Sequence, residues 1–132
     1  MDFLAWDGER GRFEKKQTLS TLPRGYEGTN YPSEVEVSDD GRHVYAANRL
    51  HDTIATFTLG RDGMMTYTRE VWTRGSYPRH FATEPTKKFT YVLHSRSDNV
   101  TIFKIDRGTG TFSFTDQYVG VGNPSQIVFL TV

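Results

Sequence analysis

The sequence predicts an all-β fold, a partial β-propeller with two complete four-stranded antiparallel blades and incomplete blade strands at both ends. The first observation is a repeat of 46 residues, which places Pro32, Pro78 and Pro124 in register without a gap. The second is that each repeat contains four short strand-like segments, the content of one propeller blade. The third is that no segment keeps the i, i+3, i+4 apolar spacing of an amphipathic helix. We therefore expect strands and essentially no helix.

The chain begins on two segments that match the third and fourth strands of a blade. Phe3–Asp7 matches Ile102–Asp106 at an offset of 99 residues, and Phe13 matches Phe112 at the same offset. We therefore assign residues 1–19 to a blade remnant that lacks its first two strands.

Residues 32–75 are assigned to the first complete blade. Ser38–Gly41 and Arg61–Gly63 are rich in residues that tolerate turn geometry, and β-branched and aromatic residues lie between them. The connection from Thr18 to Pro32 is seven residues longer than its counterpart before Pro124, and added loop length on a repeat scaffold is often functional. The predicted strands are Glu34–Val37, His43–Ala47, Thr53–Leu59 and Met65–Trp72.

Residues 78–121 are assigned to the second blade, and residues 124–132 to a lone first strand centred on Gln126–Leu130. With these segments the partial propeller domain, residues 1–132, has eleven strands. Exposed strand edges favour pairing between chains, so we expect self-association in which the lone strand of one chain joins the remnant of another. The predicted strands of the second blade are Arg79–Thr83, Phe89–His94, Asn99–Ile105 and Phe112–Val119.

The composition bounds the partners and the compartment. Sixteen basic and sixteen acidic residues balance, so no overall charge favours binding to nucleic acid or to a membrane. The chain has no cysteine, which excludes disulfides and thiolate chemistry. No apolar run reaches the roughly 18 residues of a membrane span, and no signal peptide is apparent. We expect a cytoplasmic protein that needs neither a metal nor another cofactor, since no metal-ligand spacing or phosphate loop is present.

The strand order predicts a basic surface at one end of the propeller. The start of each first strand and the end of each second strand lie on the same face, here called the upper face. The connections there are rich in arginine and histidine, whereas the opposite, lower face carries turns of Asp, Gly, Pro and Lys. Since arginine matches carboxylate and phosphate oxygens, the upper face suits a small anionic substrate. Its basic residues are Arg24, Arg49, His51, Arg74, Arg79, His80, His94 and Arg96.

Glu34 and His80 are the candidate catalytic pair on this face. They occupy equivalent positions in successive blades, each near the start of the innermost strand, and so could supply a base and an acid to one bound ligand. The alternative is that the charged residues of the upper face are solvated loop charges or ion pairs between blades. Arg24, Arg74 and Arg96 are individually assigned to this structural alternative.

Several segments together resemble the C-terminal part of the lactonase family of seven-bladed propellers. They are TLPRGYEG, SEVEVSDDGRHVYAANRLHDTIATF, YPRHFATEPTKKFTYVLHSRSDNVTIFKID and VGNPSQIVF. The family includes propeller-type 6-phosphogluconolactonases and fungal-type carboxymuconate cyclases. The resemblance implies that Glu34 is the acidic residue of the inner strand, and that Arg49 and Arg79 are family arginines at the end of one strand and the start of the next blade. His80 stands where the family often has Asn.

The resemblance implies hydrolysis of a sugar-acid lactone such as 6-phosphogluconolactone, with further blades or oligomerisation needed for activity. Glu34 and His80 would be catalytic, and Arg49, Arg79 and His51 would bind a small anionic lactone or carboxylate. One alternative is a lactonizing cyclase that acts on a muconate. Another is a propeller fragment without catalysis, or a binding module, because many propellers only present a face to partners.

Overall fold

Residues 1–130 are described by a computed structural model of the protein, and they contain strands and no helix. The predicted absence of helix is therefore confirmed for this part of the chain. None of its elements is a helix that could cross a membrane. The strands are β1 (Asp2–Asp7), β2 (Arg12–Thr18), β3 (Pro32–Val37), β4 (His43–Asn48), β5 (Thr53–Leu59), β6 (Met65–Trp72), β7 (Pro78–Thr83), β8 (Phe89–His94), β9 (Asn99–Asp106) and β10 (Thr111–Gly120).

The strands form three antiparallel sheets. Strands β1 and β2 pair with each other, and we call them the N-terminal pair. Strands β3 to β6 form the first blade in chain order, and β7 to β10 form the second blade in the same way. The predicted all-β partial propeller with two four-stranded blades is confirmed by this topology.

The prediction of a strand at Gln126–Leu130 is wrong. Residues 123–130 follow β10 without pairing to any strand of the described chain, so residues 1–130 have ten strands and not eleven. Phe129 nevertheless packs on Tyr91 of β8, with ring centroids 5.4 Å apart. Alternating polarity predicts which side chains are buried, but a strand also needs a neighbour for its ladder hydrogen bonds. Thr131 and Val132 lie outside the described residues.

The two blades stack face to face on an apolar core. Tyr45 and Ile54 of the first blade pack against Phe81 and Phe103 of the second, and all four are almost completely buried. The ring of Tyr45 meets Phe112 edge-on at 4.8 Å. Since aromatic rings dominate this core, its burial is the main force that holds one blade on the next.

The N-terminal pair covers the other side of the first blade. Met1 and Phe3 pack on a second core cluster that contains the fully buried Phe57. The side-chain amide of Gln17 accepts a hydrogen bond from the backbone N–H of Met65 at 2.9 Å and donates to its carbonyl at 2.8 Å. This pair of bonds docks β2 on the start of β6.

Each blade is joined to the next by the same aspartate contact. Asp52 and Asp98 stand 46 residues apart, and both adopt a left-handed backbone conformation with φ of 55° and 53°. The Asp52 carboxylate accepts the backbone N–H of Tyr77 at 2.6 Å, and Asp98 accepts that of Asn123 at 2.7 Å. Both donors directly precede a proline, so the contact positions the start of the inner strand β7 and the segment equivalent to it.

Candidate functional site

Glu34 and His80 meet at the upper face. His80 Nε2 lies 3.3 Å from Glu34 Oε2, with the two side chains 18% and 35% exposed. The pairing of β3 with β4 shifts register between Pro32 and Val35, and that of β7 with β8 shifts between Pro78 and His80. Such bulges change the direction of side chains at the end of a strand. The irregular starts of both inner strands therefore bring this acid–base pair together.

Hydrogen bonds between the inner strands hold this arrangement. Ser33 Oγ donates to the carbonyl of Pro78 at 2.8 Å, which fixes the start of β3 against the start of β7. His80 Nδ1 is buried and has no hydrogen-bond partner within residues 1–130. The imidazole therefore directs its second nitrogen at Glu34, and Glu34 is the more exposed member of the pair.

Tyr77 brings two arginines to the start of the second blade. The guanidinium of Arg49 lies 5.6 Å from the centre of the Tyr77 ring, and that of Arg96 lies 4.1 Å from it. The backbone N–H of Arg49 donates to the carbonyl of Tyr31, and its Nε is buried without a partner within the described chain. Since Tyr77 is three residues before His80, these cations lie on the same side of the propeller as the acid–base pair.

Arg79 is on β7 beside His80, but its side chain is exposed and makes no hydrogen bond or ion pair with any residue of the range 1–130. Successive side chains of a strand point to opposite sides, although the register shift at this position relaxes that alternation. The structure thus places Arg79 next to the pair in sequence without a contact to it.

His51 is held away from the pair by a different carboxylate. Its Nε2 lies 3.0 Å from Glu70 Oε1 on β6, the strand farthest from β3 in the first blade. Tyr26, from the long connection 19–31, packs on the imidazole with the ring centroids 4.4 Å apart and the ring planes tilted by 60°. Buried Asn48 anchors this connection, because its side-chain amide donates to the carbonyl of Thr21 at 2.8 Å. His51 is therefore part of a second Glu–His pair on the upper face, near the outer edge of the blade.

His94 is the completely buried histidine of the upper face. Burial lowers the pKa of its imidazole from the ordinary value of 6.5, because the charged form loses its hydration. The backbone carbonyl of Asn99 lies 3.3 Å from Nδ1, and a Cβ at Gly75 would lie only 2.4 Å from the ring. The site has no room for a solvated cation, so His94 is neutral in the folded protein at pH 7.

We expect His94 to make the protein less stable as the pH falls below 6.5. The unfolded chain binds the proton with the ordinary pKa and the folded chain with a lower one, so acid favours the unfolded state. In blade one the equivalent position is Asn48, so His94→Asn is the matched variant. Urea unfolding between pH 7.5 and 5.5 measures the free energy of unfolding of both proteins. As the pH falls, this free energy should decrease more steeply for the wild-type protein than for His94→Asn, by up to about 1.4 kcal/mol per pH unit. Parallel curves for both proteins would contradict this assignment.

Sequence reasoning missed Glu70, Tyr26 and Tyr77. The register offered a signal for Tyr77, since Tyr31 and Tyr77 both precede the first proline of a blade. The register offered no signal for Glu70. The positions 46 residues after His51 and Glu70 are Ser97 and Asp116, so the Glu–His contact does not recur in the second blade. Arg96, which was assigned a structural role, also contacts Tyr77.

The site combines a carboxylate, an imidazole and nearby guanidinium groups. A carboxylate and an imidazole 3.3 Å apart can exchange a proton with a bound water, and arginines can stabilise an anion. Among residues 1–130 no group of three or more acidic or histidine side chains could hold a metal ion. The carboxylate, the imidazole and the guanidinium groups together suit acid–base chemistry on an anionic small molecule.

Comparisons with known proteins agree with the fold. The sequence model of the family described as "Lactonase, 7-bladed beta-propeller" matches residues 1–129. An uncharacterised protein of Lactococcus lactis is 37% identical over 116 residues, which cover 86% of this chain and 33% of that protein. The 6-phosphogluconolactonase of Bacillus subtilis is 32% identical over 128 residues, which cover 96% of this chain and 37% of that protein.

A solved structure matches the chain closely. The periplasmic gluconolactonase PpgL of Pseudomonas aeruginosa superposes with a TM-score of 0.91 and 31% sequence identity, over 99% of this chain and 36% of that one. The chain thus spans about a third of the length of the proteins that it matches. Its predicted placement in the C-terminal part of such proteins is not confirmed by these matches.

Proposed function

This chain belongs to the family of seven-bladed β-propeller lactonases, and we propose that it takes part in the hydrolysis of a sugar-acid lactone such as 6-phosphogluconolactone. The observation that carries the proposal is the Glu34–His80 pair, which is 3.3 Å apart and partly exposed at the upper face. The names of the relatives support the same class of reaction, since they include 6-phosphogluconolactonases and a gluconolactonase.

In the proposed reaction Glu34 is the general base. Its carboxylate takes a proton from a water molecule, whose oxygen forms a bond with the lactone carbonyl carbon. The resulting tetrahedral intermediate collapses by breaking the bond between that carbon and the ring oxygen. The leaving oxygen receives the proton, either from Glu34 or through His80, and the product is the open hydroxy acid. His80 holds the Glu34 carboxylate in place and shares its proton.

The arginines supply the positive charge that this reaction needs. Arg49 would bind the phosphate or carboxylate of the substrate, because its guanidinium lies on Tyr77 at the start of the second blade. Arg79 is exposed beside His80, from where it would stabilise the oxyanion of the intermediate. His51 would bind the outer part of a larger substrate, since Glu70 and Tyr26 hold it toward the edge of the blade.

The direct test is the rate of acid release from δ-gluconolactone and 6-phosphogluconolactone, measured above the uncatalysed rate. We expect Arg49→Gln to raise KM for the phosphorylated lactone roughly tenfold with little change in kcat, because a charge-assisted contact to a remote group is lost. Arg24→Gln is the matched control, since Arg24 is an exposed arginine of the same face. A loss confined to kcat would contradict a role for Arg49 in binding.

We further propose that copies of the chain associate through exposed apolar side chains at the sheet edges. Trp6 and Phe13 of the N-terminal pair and Tyr118 of β10 are more than half exposed, and exposed apolar patches favour association. We expect light scattering after size-exclusion chromatography to give a mass of two or three chains. A single species of 15.1 kDa would contradict self-association.

A further inference from the structure

A pocket of about 150 Å³ lies between the two blades on the lower face, opposite the Glu34–His80 pair. This volume corresponds to about five water molecules at their liquid density. Glu36, Val37 and Tyr45 of the first blade and Thr83 and Ile105 of the second contribute to its walls. Both walls belong to complete four-stranded blades.

The hydroxyl of Tyr45 has no partner in this pocket. Tyr45 is only 2% exposed, and its Oη makes no hydrogen bond with the rest of the described chain. A buried hydroxyl without a partner is costly and uncommon in a native fold. Burial, with a smaller contribution from Asp40 and Glu36, raises the pKa of Tyr45 to about 12. The phenol is therefore neutral and lies in a negative electrostatic environment.

Glu36 lies directly opposite Tyr45 in the register of β3 and β4. Its carboxylate accepts hydrogen bonds from Thr83, at 2.8 Å from Oγ1 and 3.2 Å from the backbone N–H. No arginine, lysine or histidine of residues 1–130 lies within ion-pair distance of Glu36. Its negative charge is thus oriented by neutral donors and is not neutralised by a cation.

The two basic residues of the pocket both lie against the carboxylate of Asp39. Lys87 Nζ and Arg107 Nη2 lie 3.6 and 3.3 Å from the two oxygens of Asp39, at the mouth of the pocket. Asp40 pairs with Arg42 at 2.7 Å. Among the carboxylates that line the pocket in the described chain, Glu36 is the one with no basic side chain within ion-pair distance, and it lies beside the free phenol oxygen and next to apolar surface from Val37 and Ile105.

We propose that this pocket binds a small organic ammonium ion. The N–H groups of the ion donate to the carboxylate of Glu36 and to Oη of Tyr45, and its carbon chain packs against Val37 and Ile105. A charge-assisted bond neutralises Glu36, and the phenol obtains the partner that it lacks. Neither a neutral polyol nor an inorganic ion fits as well. The polyol leaves the charge uncompensated, and the inorganic ion finds apolar groups where it needs oxygen ligands.

The test is a titration of the full chain with propylammonium chloride, followed by the backbone amide signals of Ser38 and Thr83 in heteronuclear NMR spectra. We expect saturable shifts at these residues. Propan-1-ol has the same carbon chain without the charge, and sodium chloride supplies a cation without the chain. Neither should produce saturable shifts at the same concentration. Shifts of equal size with sodium chloride or propan-1-ol would overturn the proposal, and so would the absence of saturation with propylammonium.

Two variants and one control locate the binding site. Glu36→Gln removes the charge but keeps an oxygen acceptor for Thr83, and Tyr45→Phe removes only the hydroxyl. Each should weaken propylammonium binding roughly tenfold or more. Tyr91→Phe is the matched control, because Tyr91 has the register position of Tyr45 in the second blade and should leave the affinity unchanged. If Glu36→Gln does not fold, Tyr45→Phe decides the question. Unchanged affinity in a folded variant of either residue overturns the proposal.

Discussion

Replacing Glu34 by glutamine is expected to lower kcat/KM for lactone hydrolysis by about 10²- to 10⁴-fold, the usual contribution of a general base. Glutamine has the shape of glutamate and can keep the contact with His80, but it cannot accept a proton from water. The upper face offers a second Glu–His pair, Glu70 with His51 at 3.0 Å. Glu70→Gln is therefore the matched control for the chemical step. We expect it to change kcat by less than about threefold, since an effect that acts through His51 would change KM.

The measurement is the initial rate of acid release from 6-phosphogluconolactone at several concentrations, with the folded state of each variant checked by circular dichroism. Equal losses of kcat in Glu34→Gln and Glu70→Gln would mean that general changes in the upper face, and not the loss of the base, lower the rate. A folded Glu34→Gln protein with full activity would exclude Glu34 as the base. A muconate cyclase would instead show ring closure of a muconate and no acid release from the lactone.

Replacing Phe103 by alanine is expected to cost about 3–5 kcal/mol of the free energy of unfolding. Phe103 is completely buried between the blades, with its ring centre 5.4 Å from that of Phe114 and 6.5 Å from that of Phe112. Alanine leaves a cavity that the surrounding strands cannot fill, because their hydrogen-bond ladders fix their spacing. Single domains are typically stable by about 5–15 kcal/mol, so this one change should remove a large part of the total.

Urea unfolding of the wild-type chain, Phe103→Ala and Phe13→Ala measures this loss. Phe13 is the control, since it is a strand phenylalanine that matches Phe112 in the repeat register but is 69% exposed. Phe13→Ala should change the free energy of unfolding by less than about 1 kcal/mol. Similar losses for the two variants would show that the contact between the blades is not the main source of stability.

The repeat made most of the strands predictable. The strands Met65–Trp72 and Phe89–His94 form with the predicted bounds. The repeat of 46 residues places the turns at equivalent positions in both blades, and the turns fix where the strands begin and end. The segment Gln126–Leu130 repeats the pattern of an inner strand but pairs with no strand among residues 1–130. Polarity patterns are local, whereas strand pairing depends on which neighbour is present. The strand prediction therefore fails at Gln126–Leu130, where a local pattern is present but no neighbouring strand pairs with it in the described chain.

The candidate site was predictable from the sequence where it joins equivalent positions of the two blades. Glu34 and His80 are equivalent positions of adjacent blades, so the register alone predicts that they lie close together. The pairing of His51 with Glu70 joins positions that are not equivalent, and it depends on how Tyr26 of the long connection folds over the blade. A repeat reveals what the blades share. The contacts that make one blade different from the next depend on which side chains the loops bring together in the folded protein.

The aspartates at positions 52 and 98 also bear on how such a protein changes in evolution. Each belongs to its own repeat and binds the residue that opens the next one, at 2.6 and 2.7 Å. A gene duplication or deletion of one whole repeat therefore keeps an intact joint on both sides, because the donor and the acceptor are copied or lost together with their units. A partial duplication would separate an aspartate from the backbone N–H that donates to it. Selection should then favour rearrangements in multiples of 46 residues.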